Sequence, residues 1–181
     1  MGGGGGGAAG PAAGAGGGGG GAPPARRGGR AQTRDGRFVV TASHDGYRRL
    51  PDPVTHTRTV EPREGPAWII TDELSGSRPH EYALHWNLAP GVEVSTASDA
   101  PAAWRLRLPD GATLLLTIAA SAQMRTSLVR GDGEARAGWW SRTYLEKQPA
   151  WRIRAEATGS SCRMVTTIRL ENAAPAPQEG A

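Results

Sequence analysis

Residues 82 to 88 alternate cleanly. Tyr82, Leu84, Trp86 and Leu88 share one side of an extended chain, while Ala83, His85 and Asn87 share the other. The same period of two sets Trp104, Leu106 and Leu108 against Arg105 and Arg107, and Trp151, Ile153, Ala155 and Ala157 against Arg152, Arg154 and Glu156. A dry face opposite a wet one is the mark of a half-buried strand. Residues 38–41, 57–60, 68–71, 92–95, 113–118, 125–129 and 165–170 fit further strands. Pro109-Asp110-Gly111 predicts a hairpin loop and Arg130-Gly131-Asp132-Gly133 a second turn. No window sustains a helical period beyond three turns. Short strands punctuated by Gly and Pro predict an all-β, antiparallel two-sheet β-sandwich.

Composition divides the chain. Residues 1–30 hold most of the 27 glycines and almost nothing that could be buried, so they are expected to be a disordered Gly/Ala/Pro-rich arm. The sandwich is expected over 31–172, with a disordered Pro/Ala-rich tail over 173–181. The net charge of +4 suggests nucleic acid, but Arg26, Arg27 and Arg30 lie in the arm, and without them the basic residues nearly balance the 17 acidic ones. No aromatic residue interleaves the arm's arginines to stack a base, so no nucleic-acid partner is expected. Cys162 is the single cysteine, which excludes an internal disulfide and paired-cysteine metal sites. No apolar run approaches a membrane span, and no signal-peptide pattern opens the chain, so no membrane partner is expected.

Four segments carry a resemblance. They are Ser43-His44-Asp45-Gly46-Tyr47-Arg48-Arg49-Leu50; His56 and Arg58 leading into Val60; Thr71-Asp72-Glu73-Leu74-Ser75-Gly76, with His80 and His85-Trp86-Asn87-Leu88-Ala89-Pro90; and Gly138-Trp139-Trp140-Ser141, with Tyr144, Pro149 and Thr166-Thr167-Ile168. In this order they resemble the C-terminal β-sandwich region of heparinase II/III-like polysaccharide lyases, over roughly residues 36–172. The resemblance implies a sandwich packed against an N-terminal α/α toroid, with an acidic polysaccharide such as heparan sulfate or alginate in the cleft between them. The family's β-elimination neutralises a uronate carboxylate, removes the C5 proton and protonates the leaving oxygen, usually from a tyrosine. Toroid residues supply that tyrosine and an Asn or His. The sandwich supplies a Gly-His-Ala-Asp stretch and a later His-Asn pair, sometimes with zinc. This chain has neither motif and no toroid, so no catalytic residue is assigned, no cofactor is expected, and the chain alone is expected to be inactive. Full-length members are expected in the periplasm or outside the cell.

Several constellations suggest glycan contacts. His44 and Tyr47 flank Asp45-Gly46; three apart, they converge only if the chain turns there, and otherwise the pair makes a bend with a packed tyrosine. His56 and Arg58 share a strand face and suit a carboxylate or sulfate, although a solvated sheet face reads the same way. Trp140 and Tyr144 suggest a sugar-stacking platform. One tryptophan of Trp139-Trp140 is expected in the core, as are Trp68, Trp86, Trp104 and Trp151. His80 and His85, five apart, face opposite ways and do not read as metal ligands. Asp72-Glu73 reads as an acidic strand end, with residues 74–77 as a loop. The alternative reading of the whole is a non-catalytic carbohydrate-binding or structural module.

Overall fold

The computed structural model describes residues 27–34, 36–98 and 100–172; residues 1–26 of the expected arm and the tail expected over 173–181 lie outside them. Among the described residues there is no helix. The strands are β1 (Arg27–Arg34), β2 (Arg37–His44), β3 (Thr55–Pro62), β4 (Ala67–Asn87), β5 (Glu93–Thr96), β6 (Ala103–Arg107), β7 (Thr113–Ala120), β8 (Met124–Arg130), β9 (Trp139–Trp140), β10 (Gln148–Pro149) and β11 (Trp151–Asn172). They pair antiparallel in the order β1-β2-β3-β4-β11-β7-β6-β5, with β8 also on β11, and β9 pairs β10 apart from them.

The chain is an antiparallel β-sandwich, and β4 and β11 run through both layers. Residues 67–75 of β4 and 161–169 of β11 pair between β3 and β7. Residues 80–87 and 152–159 of the same strands pair beside β8. The register breaks between Gly159 and Ser161, where Gly159 opposes His80 and Ser161 opposes Ser75. That irregularity changes which residues point inward. Before it the buried positions of β11 are Ile153, Ala155 and Ala157; after it they are Cys162, Met164 and Thr166. Such a shift lets one strand keep its dry face through a bend. Tyr82 and Leu84 of one layer share a core with Trp104, Leu106, Leu116 and Ile118 of the other.

The Pro109-Asp110-Gly111 loop joins β6 to β7. Gly111 takes φ +93°, and the Asp110 carboxylate accepts the Ala112 N–H at 2.9 Å. Two expectations are corrected. Residues 74–77 are not a plain loop: β4 continues through them, and the register break absorbs the Gly/Ser/Pro sequence that looks like a turn. Trp68 is not core, being 48% exposed on β4. Strand β1 also begins at Arg27, inside the segment expected to be coil, because its backbone pairs the whole length of β2.

Candidate functional site

The antiparallel register aligns one face across β2, β3 and β4. His44 stands opposite His56, and His56 opposite Leu74; Ala42 stands opposite Arg58, and Arg58 opposite Asp72. Cross-strand neighbours share a face, so His44, His56, Arg58 and Asp72 form a polar island on the inward side of the sheet. Its base is Asp72, which is only 1% exposed. Arg58 donates to it through Nε at 2.7 Å and Nη2 at 3.0 Å, and His56 Nε2 lies 2.7 Å from the same carboxylate. Burial pushes the Asp72 carboxyl up, but the hydrogen bonds from His56 and Arg58 and their charges outweigh it and hold it below the ordinary carboxylate range.

The chain of contacts fixes the histidine tautomers. Gly46 N–H donates to His44 Nδ1 at 3.2 Å, which makes that nitrogen an acceptor and places the proton on Nε2. His44 Nε2 then donates to His56 Nδ1 at 3.1 Å, and His56 Nε2 donates to Asp72. All four ring nitrogens are engaged. The turn after β2 folds Tyr47 back, with Arg48 N–H on Asp45 O and Leu50 N–H on Tyr47 O. Its ring centroid comes within 5.4 Å of His44, so the convergence that needed a turn is present. The Tyr47 hydroxyl has no hydrogen-bond partner among the described residues. Behind the island, Arg58 lies 5.8 Å above the Trp86 ring, and Trp86 Nε1 donates to the fully buried Thr166.

His44, Tyr47, His56 and Arg58 line one open groove of about 660 Å³, whose far wall is Gly28 and Gly29 of β1. Farther along the same face the residues turn apolar. Phe38 and Val40 continue the His44 side of β2 and are 61% and 38% exposed; exposed Trp68 continues the Asp72 side of β4. One face thus carries a polar groove at one end and an uncovered apolar surface at the other.

Trp140 and Tyr144 are not in this groove. They belong to the β9–β10 segment, where Trp140 pairs with Gln148. That segment leaves the sheet at Gly138, whose φ is +73° and where a Cβ would come 2.7 Å from Gly131 N. Neither Trp139 nor Trp140 enters the core; both are half-buried, and Lys147 sits 4.3 Å over the Trp139 ring. Tyr144 is 90% exposed.

Asp72 is the residue that sequence reasoning missed. It is no strand end but an inward position within β4, in the dry register Trp68, Ile70, Asp72, Leu74. A carboxylate at an apolar repeat position signals a buried, partnered group. A second missed carboxylate, Asp52, accepts from Ser77 Oγ, from Ser77 and Arg78 N–H, and from His80 Nε2 at 2.6 Å, clamping the irregular part of β4. Hydrogen bonds from Ser77 and His80 hold it far below the ordinary range. Among the described residues no group of three or more His, Cys, Asp or Glu could hold a metal ion. The described residues therefore do not present the donor set of a zinc site.

The family model described as heparinase II/III-like, C-terminal, matches residues 10–173. The chain belongs to this heparinase II/III-like family. A heparinase III structure matches it with a TM-score of 0.63 at 17% identity, over 81% of this chain and 22% of that one. A heparan sulfate lyase from Pedobacter heparinus gives 0.64 at 15% identity, over 85% of this chain and 23% of the other. At these identities the likeness is one of fold, and the chain spans less than a quarter of either structure. No curated protein matches the chain significantly.

Proposed function

We propose that this heparinase II/III-like chain is the sandwich portion of a polysaccharide lyase. In this reading it forms one wall of a cleft for an acidic, uronate-containing polysaccharide and lacks catalytic groups of its own. The observation that carries the reading is the split face of β1 to β4, with a polar groove continuous with the exposed Phe38, Val40 and Trp68. The apolar end suits a partner domain, which in this family is the α/α toroid, and the polar end then opens onto the cleft. Inactivity alone is supported by the engaged imidazoles: every ring nitrogen of His44 and His56 is held, so neither is poised to take a proton from a sugar.

The groove's charge is balanced within the protein, because Arg58 is bound edge-on to Asp72. Its contacts to a saccharide are the outward N–H groups of Arg58, the Tyr47 hydroxyl and the Tyr47 ring, which offers apolar surface to a pyranose. Such binding depends little on salt. Titrating heparan sulfate and alginate oligosaccharides into the chain tests this. Saturable binding that Tyr47→Ala weakens at both low and high salt is expected. Binding indifferent to Tyr47 would leave the alternative, a structural module, as the better account.

A further inference from the structure

A second concavity lies on the outward side of β4, away from Asp72. There Arg154 of β11 stands opposite His85 of β4 and Ser127 of β8, while Arg152 stands opposite Asn87 and Val129. Residues two apart on a strand lie about 6.5–7 Å apart on one face, so the two guanidinium groups project side by side. The segment after β8 brings Ala135 and Ala137 over them and encloses a cavity of about 230 Å³ with His85, Ser127, Arg152 and Arg154 in its lining. The alanines leave the space open.

The charge here is not balanced. Arg152 donates from Nε to the neutral Asn87 amide oxygen at 2.7 Å and makes no ion pair among the described residues. Arg154 has one carboxylate, Glu156, at 2.6 Å. Two guanidinium groups therefore share a single acid at the cavity. His85 reports the same field: partial burial, then repulsion from Arg152 and Arg154, hold its imidazole below the ordinary value, and Glu156 only partly offsets them. The lining holds no Phe, Tyr or Trp ring on which a nucleobase could stack.

We propose that this cavity is an oxyanion site that takes a sulfate or carboxylate of an acidic saccharide between Arg152 and Arg154, outside the β2–β3 groove. The saccharide identity rests on the polysaccharide reading above, while the oxyanion site rests on its own geometry. Guanidinium forks match the planar and tetrahedral oxyanions of such chains, and Ser127 adds a hydroxyl donor.

The test is nuclear magnetic resonance of the histidine rings in the full chain. Sodium sulfate is titrated in at constant ionic strength against chloride, followed by a heparan sulfate hexasaccharide. The His85 resonance, assigned by its loss in His85→Gln, is expected to shift saturably with both ligands. Affinity should fall about tenfold in Arg152→Gln, with Arg154→Gln as the second variant should the first not fold. Proportional, unsaturable shifts of all four histidines, or a His85 response unchanged in both variants, would overturn the site. A response to sulfate without one to the hexasaccharide would overturn its assignment to a saccharide. Tyr47→Ala leaves the His85 response intact, so a failure of the groove reading registers separately.

Discussion

Arg58 meets Asp72 edge to edge, with Nε 2.7 Å from Oδ1 and Nη2 3.0 Å from Oδ2. One residue of this pair is half-exposed and the other is buried, so their removal is unequal. Arg58→Ala leaves a buried carboxylate with His56 alone, and unfolding free energy should drop by about 3 kcal/mol. Asp72→Ala together with Arg58→Ala should cost clearly less than the two changes summed, with a coupling above about 0.5 kcal/mol in urea denaturation. Strict additivity would mean that the pair does not hold β3 to β4.

Acid should loosen the same region. Asp72 and Asp52 both have carboxyls held below their unfolded value. A depressed carboxyl contributes stability that is complete above the unfolded pKa of about 3.9 and is lost as pH falls through the folded value. Unfolding free energy should fall slightly as pH drops through about 6.5, where the unfolded chain takes a proton that His85 resists, and more steeply below about pH 4. In Asp52→Asn the decline should be shallower. An equal slope in the variant would remove Asp52 from the account.

Much of this was legible in the sequence, and the limits have physical causes. Period-two runs located the strands, because alternate side chains face alternate environments whatever the tertiary context. The continuity of β4 through residues 74–77 was not legible. Gly76 and its serine neighbours are turn-formers by local chemistry, but Ser75 pairs with Thr55 and Ser161, and the Asp52 side chain, more than twenty positions away in sequence, holds the N–H groups of Ser77 and Arg78. His56 and Arg58 could be placed on one face, but their anchor could not be found while Asp72 was read as a strand end. The dry register of Trp68, Ile70 and Leu74 carried that signal. Trp68 itself misled: it has the spacing of a core residue, yet it lies on a face that the described residues leave half-exposed.

Phe38 belongs to that uncovered surface. Phe38→Ser should leave the thermal midpoint nearly unchanged, because exposed positions contribute within about 0.5 kcal/mol. The same change should reduce self-association measured by analytical ultracentrifugation, since the apolar patch shrinks. A drop of several degrees without any change in association would place Phe38 in the folding core instead.

The purified chain should not cleave heparan sulfate, alginate or another uronate polymer, because the family's catalytic motifs are absent and the groove imidazoles are engaged. Absorbance of the unsaturated uronate product, followed against a heat-denatured control, checks this. Product formation above the control, lost in His44→Ala, would show that the relay of His44 and His56 is reactive after all.

The measurement closest to the central claim, that the face of β2 and β3 is a saccharide wall, is the response of the His44 and His56 ring resonances to a heparan sulfate hexasaccharide. The account predicts saturable shifts of both rings at low and at high salt, with Tyr47→Ala weakening the affinity about tenfold, the loss of roughly 1.4 kcal/mol. Unperturbed His44 and His56 resonances at concentrations that saturate His85 would contradict it.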